Sequence, residues 1–356
     1  MNHVTSLPGL DPFLAEICEQ PDAIVRAADG LSTQASGMAR IQELTRSGGT
    51  LVLTGMGSSF EALGALESIL NRHGRAALLI NTAELLHFGL PLLRDGAAVI
   101  AVSQSGLSAE IVRLAEVVAD LDCSLIAVSN GVDNALAKAA DVVVDIRAGD
   151  ETGPSTKTFT ATLVALAAID AILSGADVDS VIAEIRELST TTSALVAAQL
   201  NDPAGSGQAF RQWCSDSPNI VFVGRGVGLA AANVGALIMK EAAQIPVIGM
   251  GAAEFRHGPF ELAGNDLAMV VVAIEEATRP YDSSLVADLI AAGSKVLVIG
   301  PEALGARDHL ATHPVSPLFD VIQASIPLQL LTWAQAAQKH DNPGTFRLGS
   351  KVTVKE

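Results

Sequence analysis

Apolar positions along this chain come in short runs, each closed by a glycine- or hydroxyl-rich turn and followed by a stretch with apolar residues at every third or fourth place. Leu51-Val52-Leu53-Thr54 leads into Gly55-Met56-Gly57-Ser58-Ser59 and then Phe60–Arg72. Short runs bounded by turn residues predict buried strands, and the longer spacing predicts amphipathic helices. By the same reading Ala76–Ile80, Val99–Val102, Ser124–Val128 and Val142–Val144 are strands, Ala109–Leu121, Asp133–Ala139 and Thr156–Leu173 are helices, and Thr82–Phe88 is loop or helix. The pattern restarts at Ile220–Val223, with the turn Gly224-Arg225-Gly226-Val227-Gly228 and the helix Leu229–Gln244. Strands at Val247–Met250, Leu267–Ile274 and Lys295–Ile299 follow, the last after a helix at Ser283–Ala292, and Ser325–His340 is the final helix. Strands alternating with helices predict an α/β fold with parallel sheets covered on both faces, and the restart predicts an internal duplication.

These signals divide the chain into an N-terminal helical arm over residues 1–35, a first αβ domain over 36–175, a helical connector over 176–207, a second αβ domain over 208–340 and a tail over 341–356. Asp11-Pro12 and Pro21 open the arm's helices, and Ser47-Gly48-Gly49 is a helix-stop signal. The connector carries a break at Asn201-Asp202-Pro203.

Composition narrows the function. A net charge of -17 repels phosphate polymers and anionic membranes, and an aromatic content of 4% offers few stacking platforms, so no nucleic-acid or membrane partner is expected. The same charge makes any phosphate site depend on directed N–H and hydroxyl groups. Cys18, Cys123 and Cys214 lack metal or redox spacing and are expected to be reduced thiols in a cytoplasmic protein. Met1–Pro8 has no signal-peptide pattern, and apolar segments such as Leu267–Ile274 are too short to span a bilayer.

Neither glycine turn fits Gly-x-Gly-x-x-Gly and no Gly-x-x-x-x-Gly-Lys-Ser/Thr occurs, so neither NAD binding nor NTP hydrolysis is expected. No metal-ligand spacing appears, and no cofactor is expected. Ser103-Gln104-Ser105-Gly106-Leu107-Ser108 follows a strand and precedes a helix; one hydroxyl would cap that helix, and three exceed the need, which favours an anion site. Ser155-Thr156-Lys157 reads equally as a cap or as a contact to a phosphate or sugar hydroxyl. Lys240-Glu241 lies in an apolar helix, either on a solvated face or half-buried, where Glu241 would have a raised pKa suited to a general base. His257 stands just before Gly258-Pro259; a lone histidine is more often structural than catalytic. The alternation in Val352-Thr353-Val354 predicts a tail that docks and brings Lys351 into a site, in place of a frayed end.

In order, these motifs resemble the sugar isomerase (SIS) family, and in particular the isomerase half of glucosamine-6-phosphate synthase. Glu16-Ile17-Cys18-Glu19-Gln20-Pro21 is similar to that family's entry segment; Gly57-Ser58-Ser59, Ser103-Gln104-Ser105-Gly106, Ser155-Thr156-Lys157, Lys240-Glu241, Glu254-x-x-His257-Gly258-Pro259 and Ser350-Lys351-Val352-Thr353-Val354 follow in family order. The resemblance implies two flavodoxin-like subdomains and a homodimer. It implies that Ser103, Gln104, Ser105 and Ser108 hold a sugar phosphate, that Ser59, Ser155 and Lys240 contact the substrate, and that Glu241 moves a proton between C1 and C2. His257 would open the ring from across the dimer interface, and the tail lysine, Lys351, would open the sugar or form an imine. Two departures stand out. No glutaminase segment is recognised, and the synthase's second lysine is Ile238 here. With Val-Thr-Val aligned, Ser350 falls at the synthase lysine's place and Lys351 follows it. The expected activity is deamination of glucosamine 6-phosphate, with a glutamine-dependent isomerising aminotransferase subunit or a deglycase as alternatives and a non-catalytic sugar-phosphate sensor as the alternative of another class.

Overall fold

The structure, a computed structural model, describes residues 11–46, 49–94, 96–201, 212 and 217–355. The chain divides into two compact units. The first-sheet unit takes Gln20–Glu151, Lys157–Thr191 and Arg347–Glu356; the second-sheet unit takes Met1–Glu19, Thr152–Thr156 and Thr192–Phe346.

Helix α1 (Pro12–Cys18) belongs to the second-sheet unit. Asp11 caps it, accepting the Leu14 N–H at 3.0 Å, while Pro12 fills a position where no N–H is required.

The first-sheet unit begins with α2 (Gln20–Ser32) and α3 (Ala35–Leu44), then β1 (Leu51–Gly55), α4 (Gly57–Arg72), β2 (Leu78–Asn81) and a short helix α5 (Thr82–Glu84) continued by a π turn over Leu85–Gly89. Strand β3 (Ala97–Val102), α6 (Ala109–Val118), β4 (Cys123–Ser129), α7 (Ala135–Ala139), β5 (Val142–Asp145), α8 (Lys157–Ser174) and α9 (Val178–Asn201), which belongs to this unit up to Thr191, follow. The sheet order is β2-β1-β3-β4-β5, with every pair parallel. Strands β1 and β3 are buried throughout, because helices cover both faces, and this is why they read as unbroken apolar runs.

Helix α8 corrects one expectation. Among the described residues it is a helix long and apolar enough to cross a bilayer. Most of its residues are buried, packed against α2, α3 and α4, which accounts for apolarity around its whole circumference.

The second-sheet unit repeats the plan with β6 (Asn219–Gly224), α10 (Val227–Ala242), β7 (Ile248–Gly251), α11 (Ala252–Arg256), β8 (Leu267–Val272), α12 (Arg279–Ala291), β9 (Lys295–Gly300), β10 (Asp308–Ala311) and α13 (Pro317–Lys339). Its order, β10-β9-β8-β6-β7, is the first sheet's order read from the other edge, again all parallel. The shared topology is the duplication expected from the restart of the pattern.

Helix α12 starts at Arg279, four residues before the expected Ser283, and three further features depart from expectation. Helix α13 begins at Pro317 and runs through Pro327, where the sequence suggests a start at Ser325. Proline costs a helix one hydrogen bond, but the buried face of Val321, Ile322, Ile326 and Leu328 holds the segment helical across it. Strand β10 was not expected; it is a short edge strand held by its ladder to β9. Helix α3 ends at Leu44, and Ser47 and Gly48 of the stop signal, like Asp202 and Pro203 of the connector break, lie outside the described residues.

Candidate active site

In the first sheet, Gly55 at the end of β1 pairs with Val102 at the end of β3. The first turn of α4, carrying Ser59, and the turn Ser103–Ser108 therefore leave the sheet side by side. This is its topological switch point, where open α/β sheets bind ligands. Gly55 permits the approach, since a Cβ there would lie 2.9 Å from the Val102 oxygen.

The Ser103–Ser108 turn is held by its own hydroxyls. Ser103 Oγ accepts the Gly106 N–H and Ser105 Oγ the Leu107 N–H, each at 3.2 Å. Gly106 adopts φ +61°, and a Cβ on it would fall 1.9 Å from Asn134 Oδ1. Asn134 is buried and fixed: its amide donates to the Gly131 oxygen at 3.0 Å and its Oδ1 accepts the Ala137 N–H at 2.9 Å. Ser108 is the N-cap of α6, yet its side chain makes no capping bond. That leaves a hydroxyl and the positive end of a helix dipole facing the turn, an arrangement suited to a phosphate.

The tail reaches the same helix. The Ala109 N–H donates to the Thr353 oxygen at 3.0 Å. Lys351 turns inward and forms an ion pair with Glu151, the lysine side chain 18% exposed and the carboxylate 0%. Glu151 also accepts the Thr158 N–H, at 3.1 Å, and the Thr158 hydroxyl at the start of α8. Ser350, by contrast, is exposed and its hydroxyl donates to the Val352 oxygen.

The remaining candidates lie in the second-sheet unit. Glu241 is half-buried in the last turn of α10, just before β7, and its neighbour Lys240 is exposed. His257 is exposed and ends α11, its N–H donating to the Glu254 oxygen at 2.9 Å. Ser155 is half-buried in the loop Thr152–Thr156. Glu16 of α1 fixes that loop, its Oε1 accepting the Thr152 N–H at 2.6 Å and the Thr152 hydroxyl at 2.9 Å and its Oε2 the Gly153 N–H at 3.2 Å.

The second copy of the switch point has opposite chemistry. Gly224 pairs with Val272, so the turns after β6 and β8 also emerge together. There Glu275 is buried and takes the Val227 N–H at the start of α10 at 2.9 Å. Arg225 is engaged by Asp282, at 2.9 Å. Burial pushes Asp282 above the usual carboxylate range against the pull of Arg225, and burial together with the Glu275 carboxylate raises Asp320 to about 6. In the turn after β8, where the first copy carries hydroxyls after β3, the second copy carries a buried carboxylate that caps α10, the counterpart of α4.

Three residues escaped the sequence reading: Glu151, Asn134 and Glu16 in its bonding role. Glu151 stands beside Asp150 with nothing local to separate the two. Cys18 is buried and Cys123 half-buried; burial raises both thiols, aided by Asp11 at the first and by Asp141 and Asp122 at the second, while Cys214 lies outside the described residues. Among the described residues no cluster of three or more His, Cys, Asp or Glu is arranged to hold a metal.

Comparison with known proteins agrees with this architecture. The SIS domain family matches residues 43–170 and 214–315. The glutamine–fructose-6-phosphate aminotransferase [isomerizing] of Pyrococcus horikoshii is 28% identical over 358 residues, covering 96% of this chain and 57% of the relative. That of Pyrobaculum aerophilum is 29% identical at the same coverage. The chain thus spans little more than half the length of these relatives. Among solved structures, the C-terminal domain of glucosamine-fructose-6-phosphate aminotransferase from Francisella tularensis superposes with a TM-score of 0.82 at 24% identity, covering 96% of this chain and 100% of that one. Glucosamine-6-phosphate deaminase from Thermotoga maritima gives 0.75 at 16% identity, covering 97% and 100%. Both likenesses are of fold.

Proposed function

Because this chain belongs to the SIS domain family, we propose that it is a phosphosugar isomerase acting on an amino-sugar phosphate, and that it deaminates glucosamine 6-phosphate to fructose 6-phosphate and ammonia. The observation that carries the reading is the hydroxyl-rich turn at the switch point of the first sheet, with Ser108 uncommitted at the N-terminus of α6 and a lysine-bearing tail bonded to that helix. Ser103, Gln104, Ser105 and Ser108 take the phosphate; Ser59, Ser155 and Lys240 contact the sugar. His257 assists ring opening, acting on the neighbouring protomer's sugar in a homodimer. Glu241 then removes the proton from C2 of the open-chain aldose and returns it to C1, leaving an imine at C2. Lys351 displaces ammonia from that carbon by adding to it, and water releases the ketose and restores the lysine.

The test is to incubate the protein with glucosamine 6-phosphate and measure ammonia and fructose 6-phosphate together. Equal release is expected, and Glu241→Gln should lower turnover by about a hundredfold or more, the scale of a lost general base, with sugar-phosphate affinity retained. Full turnover in Glu241→Gln refutes the mechanism; binding without turnover in the wild type identifies a sensor. The names of the relatives favour a second reading, in which fructose 6-phosphate is aminated. Product that forms only when ammonium, or a glutaminase with glutamine, is supplied would select it.

A further inference from the structure

We propose that Glu151 is the positioning residue that docks the C-terminal tail and selects Lys351, out of the tail's two lysines, Lys351 and Lys355, as the amine of the site. The use of that amine rests on the isomerase reading; the docking does not. Glu151 is held independently of the tail: the Thr158 N–H and hydroxyl fix its carboxylate at the start of α8. A carboxylate at a helix N-terminus is favoured by the dipole and by otherwise unpaired N–H groups. The tail brings little to hold itself. Thr353, Val354 and Lys355 are exposed, and the bonds that tie the segment include the Lys351–Glu151 pair and the Ala109–Thr353 backbone bond. One charge-assisted contact to a wholly buried carboxylate therefore supplies much of what docks it.

It also sets the register. The chain bends at Lys351 and Val352, so consecutive side chains leave the backbone in different directions and moving the lysine by one residue takes it away from Glu151. Glu151 faces the side on which Lys351 projects, while Ser350 is exposed and bonds within the tail. This resolves the one-residue offset of the tail lysine: the buried carboxylate, not the sequence position, decides which residue enters. In the reaction, the ammonium proton passes to the Glu151 carboxylate that it touches as the amine adds to C2 of fructose 6-phosphate; loss of water then gives the imine, which borohydride reduces to a stable secondary amine on Lys351.

Two variants of the full chain test the proposal, Glu151→Gln and the double exchange Ser350→Lys with Lys351→Ser. The second changes only exposed or half-exposed tail positions and so leaves the fold in place. Hydrogen exchange of the Ala109 amide, which donates to the tail's Thr353 oxygen, should rise by about tenfold or more in both, the scale of one lost charge-assisted bond, while the amides in the middle of α8 stay protected. Borohydride with fructose 6-phosphate should label Lys351 in the wild type and give little label in either variant. Glu151→Gln should lower kcat with KM held when rates are referred to the concentration of folded protein, counted by circular dichroism, so that loss of folded protein does not enter the comparison. Unchanged Ala109 protection in both variants overturns the proposal. A released tail in the variants, with neither ammonia nor label in the wild type, upholds the docking and refutes the isomerase reading instead.

Discussion

Gly106→Ala probes the Ser103–Ser108 turn at its tightest point. The residue holds φ +61°, which costs a residue with a Cβ about 1–2 kcal/mol. The new methyl would also fall 1.9 Å from Asn134 Oδ1, far inside contact distance. Asn134 cannot yield cheaply. It donates to the Gly131 oxygen at 3.0 Å and to Ser129 Oγ at 3.3 Å, and it accepts the Ala137 N–H at 2.9 Å as the cap of α7. At about 1 kcal/mol for each bond, displacing it adds about 2–3 kcal/mol. The sum, about 3–5 kcal/mol, is a large part of an ordinary domain's stability. Urea unfolding followed by circular dichroism should show a midpoint lower by about 1.5–2 M, and isothermal titration should show weakened glucosamine 6-phosphate binding. The geometry makes a sharper demand. Asn134→Gly removes the clashing atom, so adding Gly106→Ala to it should cost only the backbone penalty, and the double variant should be less destabilised than the sum of the singles by about 2 kcal/mol. Additive effects, or a wild-type midpoint for Gly106→Ala, would refute the reasoning.

Glu16→Ala removes the acceptor of three bonds to Thr152 and Gly153; thermal unfolding should report a loss of about 2–4 kcal/mol, and hydrogen exchange at residues 152–153 should speed up, whereas a melting temperature equal to the wild type's would show that the loop does not depend on α1. Asp320 carries a pH signature: burial and Glu275 raise its folded pKa from 3.8 to about 6, against the Val315 N–H that it accepts. The folded state then holds its proton where the unfolded state has lost it, so this group's contribution falls as pH rises from about 4 to about 6 and is constant above. Asp320→Asn should gain stability over the wild type across that window and hold the gain beyond it; a difference that does not vary with pH in urea titrations contradicts the assignment.

The fold was legible because its signals are local. Buried parallel strands such as Ala97–Val102 are apolar along their whole length, and most turns announce themselves by glycine or serine, so nine of the ten described strands and the duplication could be read before any contact was known. The exceptions have physical causes. Strand β10 gains its order from a ladder to β9, a backbone interaction that side-chain pattern does not encode. Pro327 marks a break locally, and only burial of α13 overrides it.

For the site, the sequence by itself determined the hydroxyl turn, the lysine-bearing tail and the order of the motifs, since these depend on residue type and near spacing. Tertiary structure alone decided what each group faces. Glu151 and Lys351 are 200 residues apart and Glu16 and Thr152 are 136 apart, and no short-range pattern specifies such pairs. Tertiary structure also decided that Glu275, in the turn after β8, caps the helix after β6. The reason is the same in both cases: a buried carboxylate must find donors wherever the folded chain brings them, and the partner it finds fixes its role.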